Sequence, residues 1–174
     1  MTEAKLLVFS TLFPSHKRPN AGVFIREWMF RVAQKIPVIV VSPVPWFPFQ
    51  GILRYWRPHF RPQPNSYEEE QGVHVYFPRF LSIPGLLKSW DGFFMAQGSL
   101  PTLIKLRKHF NIIDAHFAYP DGYAATLLGK WLKIPVTITL RGTEFPLSKM
   151  PGRKIRLLKG LKSAVRVFSV SESL

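Results

Sequence analysis

The sequence has no cysteine among its 174 residues. Disulfides, thiolate metal sites and cysteine nucleophiles are therefore excluded, and a reducing cytosol is in keeping with the composition. No run reaches the roughly 18 apolar residues that a membrane-spanning helix needs. The nearest stretch, 36–49, is broken by Pro37, Pro43, Pro45 and Pro48. The residues after Met1 carry no basic cluster and the apolar run behind them is short, so no signal peptide is expected. Neither a G-x-G-x-x-G fingerprint nor a P-loop occurs, which disfavours a dinucleotide oxidoreductase and a P-loop NTPase. A nucleophile elbow is missing, and the histidines at 16, 59, 74 and 109 show no metal-ligand spacing. Acidic residues are scarce: 10 Asp and Glu face 24 Lys and Arg, a net charge of +14. Such a field attracts nucleic acid, acidic lipid headgroups or phosphorylated substrates. It would also suit a plain basic surface, or one part of a protein whose other part is acidic.

Apolar residues make up 47% of the chain, enough for a packed core rather than disorder. Lys5–Ser10 and Pro37–Ser42 are continuous apolar runs of buried-strand type. Between them, Thr11–Gly22 reads as a loop. Val23–Lys35 has helical spacing, with Phe24, Trp28 and Val32 on one stripe beside Ile25 and Met29; Asn20 is placed to cap it and Pro37 to stop it. Tyr67–Gly72, with its three glutamates, reads as a solvated turn, and Val73–Phe77 as a strand. Leu100–Phe110 reads as a helix, with Pro84 able to open a shorter one. The pattern then repeats: strand Ile112–Phe117, helix Asp121–Lys133, strand Pro135–Leu140, basic helix Pro151–Lys162 with Ile155, Leu158 and Leu161 as its apolar stripe, strand Ala164–Val170. Strands alternating with helices, without repeats or a linker, predict one doubly wound α/β domain with a mostly parallel sheet.

Residues 43–66 break the rhythm. They are dense in proline, hold Trp46, Tyr55, Trp56, Arg54, Arg57 and Arg61, and contain no acid. Aromatic rings with interleaved arginine suit a membrane interface, where rings sit at headgroup level and Arg meets lipid phosphates. The same composition could stack on bases, or fold back on its own domain.

Candidate chemistry lies where strands end, since ligands of open parallel sheets bind beyond the strand carboxyl ends. Gly22 closes the first strand–helix turn, a natural anion site that also reads as an ordinary turn glycine. His116, with Asp114 two residues back on the same face, could act as general acid or base or bond a substrate hydroxyl; a structural histidine is the competing reading. Arg141 and Glu144 could be a surface ion pair, or a phosphate clamp with a hydroxyl acceptor. Asp121 is explained as a helix cap.

Taken together, Leu6–Pro14, Asn20-Ala-Gly-Val-Phe24, Asp114-Ala-His-Phe-Ala-Tyr-Pro-Asp-Gly122, Thr137-Ile-Thr-Leu-Arg-Gly-Thr-Glu144 and Val167–Ser173 resemble the N-terminal domain of family 4 glycosyltransferases. The resemblance covers nearly the whole chain. It implies a Rossmann-like domain with helices on both sheet faces, the N-terminal half of a GT-B fold, with 43–66 as an insertion. It implies the acceptor-binding half of a retaining, metal-independent enzyme without cofactor, transferring a sugar from a nucleotide-sugar to a glycan or lipid-linked acceptor in cell-surface polysaccharide synthesis. A C-terminal donor-binding domain with an E-x-seven-E motif is expected as a separate or missing partner. The enzyme would sit in the cytoplasm, peripherally at the inner face of the membrane, on an anionic surface and without nucleic acid. By resemblance, Gly22 lies near the donor diphosphate and His116 touches the transferred sugar; Arg141 and Glu144, with Asp121 of the adjacent turn, serve the substrate side. The chain departs from the family by carrying Asp114 where a histidine is usual before His116, and Arg141 before Gly142 where a histidine is usual. A non-catalytic anionic-membrane module, or an inactive fragment, is the alternative.

Overall fold

A computed structural model describes residues 3–57, 60–142 and 149–170. The first apolar run forms β1 (Leu6–Phe9), followed by α1 (Val23–Ala33) and β2 (Val38–Val41). The aromatic segment is not a loop. It contributes β3 (Val44–Trp46) and α2 (Gln50–Trp56). Then come β4 (Tyr67–Glu70), β5 (Val73–Tyr76), β6 (Arg79–Leu81), α3 (Asp91–Lys105), β7 (Ile112–His116), α4 (Tyr123–Leu132), β8 (Val136–Leu140), α5 (Pro151–Ser163) and β9 (Arg166–Ser169).

Seven strands form one sheet in the order β4-β5-β2-β1-β7-β8-β9. All neighbours are parallel except β4, which runs antiparallel to β5 at the edge. β3 and β6 pair in parallel as a separate ribbon. The chain winds outward from β1 through β2 and β5, then returns to β7 on the other side of β1. The topological switch therefore lies between β1 and β7, where a crevice opens at the strand carboxyl ends.

The sheet is covered by helices on both faces, because strand side chains alternate. Leu7 and Phe9 of β1 point into a core with Met95 and Leu103 of α3 and Leu128 of α4. Val8 points the other way, to Ile25 and Met29 of α1. At the sheet edge all four residues of β9 are exposed.

Several local readings are corrected. The glutamates at 68–70 lie in β4, not in a turn. Arg26 Nη1 donates to Glu70 Oε1 at 2.9 Å and the His16 backbone N–H to Glu68 Oε2 at 3.0 Å, so an edge strand tolerates their charge. α3 begins at Asp91 and carries Pro101 within it, rather than starting at Leu100. α5 buries Leu157 and Gly160, while Ile155 and Leu158 of the expected apolar stripe face outward. Gly22, not Asn20, is the N-cap of α1. No helix among the described residues is long and apolar enough to cross a membrane.

Candidate functional site

Residues of two neighbouring strands converge beside the switch point. Ile112, Asp114 and His116 share one face of β7 by their two-residue spacing, and Thr137, Thr139 and Arg141 continue that face on β8 and beyond it. Register places Asp114 beside Thr137 and His116 beside Thr139. With Trp28, Met29 and Val32 of α1 and Phe168 of β9 they line a cleft of about 660 Å³. One end is apolar, at Leu6, Val32 and Ile112. The other, at the strand carboxyl ends, is polar.

The polar end is a connected network. Thr137 Oγ1 donates to Asp114 Oδ1 at 2.7 Å, and Thr139 Oγ1 to the same oxygen at 3.4 Å. Arg141 Nη2 and Nε lie 2.9 and 3.3 Å from His116 Nδ1. A guanidinium has only donors, so Nδ1 accepts and the imidazole proton sits on Nε2. That N–H lies 3.3 Å from Asp114 Oδ2, off the hydrogen-bond direction, and is otherwise buried without a partner. His116 is thus oriented by Arg141 with its Nε2–H toward the cleft floor. Arg141 spans from His116 to Phe24, its Cζ 5.4 Å from the ring centroid. Partial burial pulls the guanidinium pKa below its ordinary value, and the Asp114 carboxylate opposes that pull.

The structure therefore brings His116 and Arg141 into direct contact. Glu144 lies outside the described residues. Asp114, Thr137 and Thr139 join as residues for which the sequence signal was strand alternation. Phe24 and Trp28, placed on one stripe by their helical spacing, are exposed: Phe24 carries Arg141 and Trp28 forms a cleft wall.

Gly22 adopts φ +68° at the N-terminus of α1. A Cβ there would stand 2.3 Å from the carbonyl oxygen of Leu12. Chain packing alone thus requires glycine. The first turn of α1 holds no acid, and its free N–H groups lie at the rim near Phe24.

Asp121 does not cap α4. Its Oδ1 accepts from the Thr11 backbone N–H at 2.5 Å and its Oδ2 from Thr11 Oγ1 at 3.2 Å. It thereby ties the turn after β7, which contains a cis Tyr119–Pro120 bond, to the loop after β1 across the switch point. Burial pushes the carboxyl from 3.8 up to about 7, with the Thr11 hydrogen bonds pulling back. The native state then holds a proton that the unfolded chain has released. Stability from this group is present at low pH and falls as pH rises from about 4 to about 7, by at most about 4 kcal/mol. Asp121→Asn keeps an acceptor for Thr11 and is expected to remove that slope. Thermal melts of both proteins from pH 4 to 8 check it: the gap between their Tm values shifts in favour of the variant as pH rises, whereas parallel curves contradict it.

No family model matches the chain. Over 172 residues it is 30% identical to a Bacillus subtilis (strain 168) protein assigned to teichuronic acid biosynthesis as the glycosyltransferase TuaC, covering 95% of this chain and 43% of that protein. Two solved structures share the fold. One is Arabidopsis thaliana UGT89C1 complexed with UDP-L-rhamnose, at TM-score 0.56 and 12% identity over 98% of this chain and 46% of the other. The other is the UDP-GlcNAc 2-epimerase of Methanocaldococcus jannaschii, at TM-score 0.53 and 14% identity over 97% and 40%. The chain spans less than half the length of each. Its fold is the Rossmann-like doubly wound α/β type found in such GT-B proteins.

Proposed function

We propose that the chain is the acceptor-binding half of a retaining glycosyltransferase that moves a sugar from a nucleotide-sugar to a glycan or lipid-linked acceptor in cell-surface polysaccharide synthesis. The observation that carries this reading is the His116–Arg141–Asp114 network at the switch point, in a domain similar to a polysaccharide glycosyltransferase. The Nε2–H of His116 is a buried donor without a hydrogen-bond partner in the cleft floor, suited to a hydroxyl of the transferred sugar. Arg141 and the N-terminus of α1 put positive charge on the rim, where a leaving nucleoside diphosphate develops negative charge. Departure of the diphosphate would leave an oxocarbenium-like sugar facing His116, and an acceptor hydroxyl positioned by this domain would attack it. A second domain would supply most of the nucleotide contacts, closing over the same crevice. The exposed strand β9 supports further polypeptide packing at that edge, since parallel sheets are ordinarily covered on both faces.

Shift mapping on the labelled chain tests this assignment. Addition of acidic cell-wall oligosaccharides and of UDP-sugars is expected to move the signals of Phe24, His116, Thr139 and Arg141. Perturbation confined to residues away from this cleft would remove the site assignment.

A further inference from the structure

One stripe of α1 is aromatic where it meets the cleft and cationic beyond it. Phe24, Trp28 and Arg31 follow one another at spacings of four and three residues, and Lys35 continues the stripe just past the helix end. Phe24 gives a ring face to Arg141. Trp28 has no such cover: it is 60% exposed, and its ring meets no aromatic or cationic partner among the described residues. A second hollow of about 460 Å³ is lined by Trp28, Arg31, Val32, Lys35 and Ile36. It shares Trp28 and Val32 with the cleft that holds His116, so the two hollows meet along α1 as one trough.

The charges of this trough are of one sign. Arg31 and Lys35 are exposed and make no ion pair or side-chain hydrogen bond among the described residues. Glu27, the acid of α1, is taken by Arg26, whose Nη2 lies 2.9 Å from its Oε1. Asp114, deep in the cleft, is taken by Thr137. The helix dipole favours a cation in the last turn of α1 and so accounts for Arg31. It does not account for a large ring left in water beside two unpaired cations, a combination that marks an interaction site.

We infer that this trough is a binding subsite for an acidic oligosaccharide, with a sugar ring stacked on Trp28 and its carboxylate or phosphate groups paired with Arg31 and Lys35. A pyranose presents C–H bonds on its ring face and hydroxyls at its edge. The electron-rich face of an indole packs against such C–H bonds, and its rigid plane fixes how the sugar lies. Arg31 can hold an acidic group through two parallel N–H bonds, and Lys35 through a single charge-assisted one. Phe24 and Arg31 stand about 10 Å apart along the helix axis, room for more than one sugar ring. The other end of the trough is floored by His116 and rimmed by Arg141, so a glycan lying in it brings one terminus to the proposed reaction centre. The subsite rests on the proposed transfer reaction and narrows its acceptor to an anionic glycan chain. A second copy of the chain is a poor occupant, because the net charge of +14 would bring like charges together.

The experiment is calorimetric titration of the chain with tetragalacturonate and with neutral maltotetraose. Wild type is expected to bind tetragalacturonate, more weakly as salt is added, and to bind maltotetraose about tenfold less tightly. Trp28→Ala removes an exposed ring and should fold normally by circular dichroism; it is expected to lose about tenfold in affinity for tetragalacturonate. Arg31→Gln/Lys35→Gln is expected to keep the maltotetraose affinity and lose the preference for the acid. Lys105→Gln/Lys108→Gln, at the end of α3 on the other sheet face, makes the same change in charge and is expected to bind as wild type does. In sugar transfer, Trp28→Ala is expected to raise KM for an acidic acceptor about tenfold with kcat kept, whereas His116→Ala lowers kcat. The inference is overturned if wild type binds neither oligosaccharide, or if Trp28→Ala binds like wild type. It is overturned too if the α3 variant loses as much affinity as Arg31→Gln/Lys35→Gln, since bulk charge would then suffice. Binding lost once the chain is joined to the portion of the Bacillus relative that it does not span also overturns it, because that polypeptide then fills the trough. Trp28-dependent binding without any sugar transfer supports the subsite and counts against the proposed reaction alone.

Discussion

Replacing His116 with alanine is expected to lower the proposed sugar transfer about a hundredfold or more, with binding of the acceptor largely kept. The side chain is fully buried. Deletion also opens a cavity and leaves the Arg141 guanidinium without the Nδ1 acceptor, so stability falls too, by about 2 kcal/mol. The two effects separate by substitution. His116→Asn places an oxygen near the position of Nδ1 and can keep the Arg141 contact, but offers nothing at Nε2. His116→Gln can present an N–H near the position of Nε2. If the donor at Nε2 serves the transferred sugar, Gln restores more activity than Asn, while Asn restores more stability. Turnover and urea denaturation of the three variants decide it. Equal activity in all three would assign His116 a purely structural role.

Gly22→Ala is the second large effect, and it reads on the fold. The αL conformation costs a non-glycine residue about 1–2 kcal/mol. The added methyl would also meet the Leu12 carbonyl at 2.3 Å, a contact that only backbone movement relieves. A loss of about 2–4 kcal/mol in urea denaturation of the chain alone is expected, with no ligand present. A glycine kept solely so that a phosphate can approach would leave this stability unchanged and reduce only transfer. The two roles are compatible, but the steric one is already present in the empty protein.

The legible parts of the fold were those with one clear period. β1 and β2 are continuous apolar runs and β7 and β8 are apolar-rich runs bounded by polar turns, and they define the parallel sheet and its order of helices. The segment from Pro43 to Ser66 was opaque because its prolines and arginines read as loop, whereas Arg54 and Arg61 satisfy carbonyls beneath a short helix. β4 was hidden by its glutamates, whose partners Arg26 and His16 lie 44 and 52 residues earlier in the chain. In the site, His116 and Arg141 were legible from position, at the ends of neighbouring strands. Asp121 was misread, since its partner Thr11 lies 110 residues away and no local pattern announces it. The exposure of Phe24 and Trp28 was not legible, because periodicity reports which residues share a helix face and not whether that face is covered.

The central claim is that sugar transfer takes place in the crevice floored by His116. The most direct test joins this chain to the portion of the Bacillus relative that it does not span and supplies labelled nucleotide-sugars with bacterial membranes. The account predicts transfer of label to membrane glycan with the anomeric configuration of the donor retained. Transfer with inversion would contradict the retaining reading, and a folded fusion that transfers no sugar from any nucleotide donor would contradict the account as a whole.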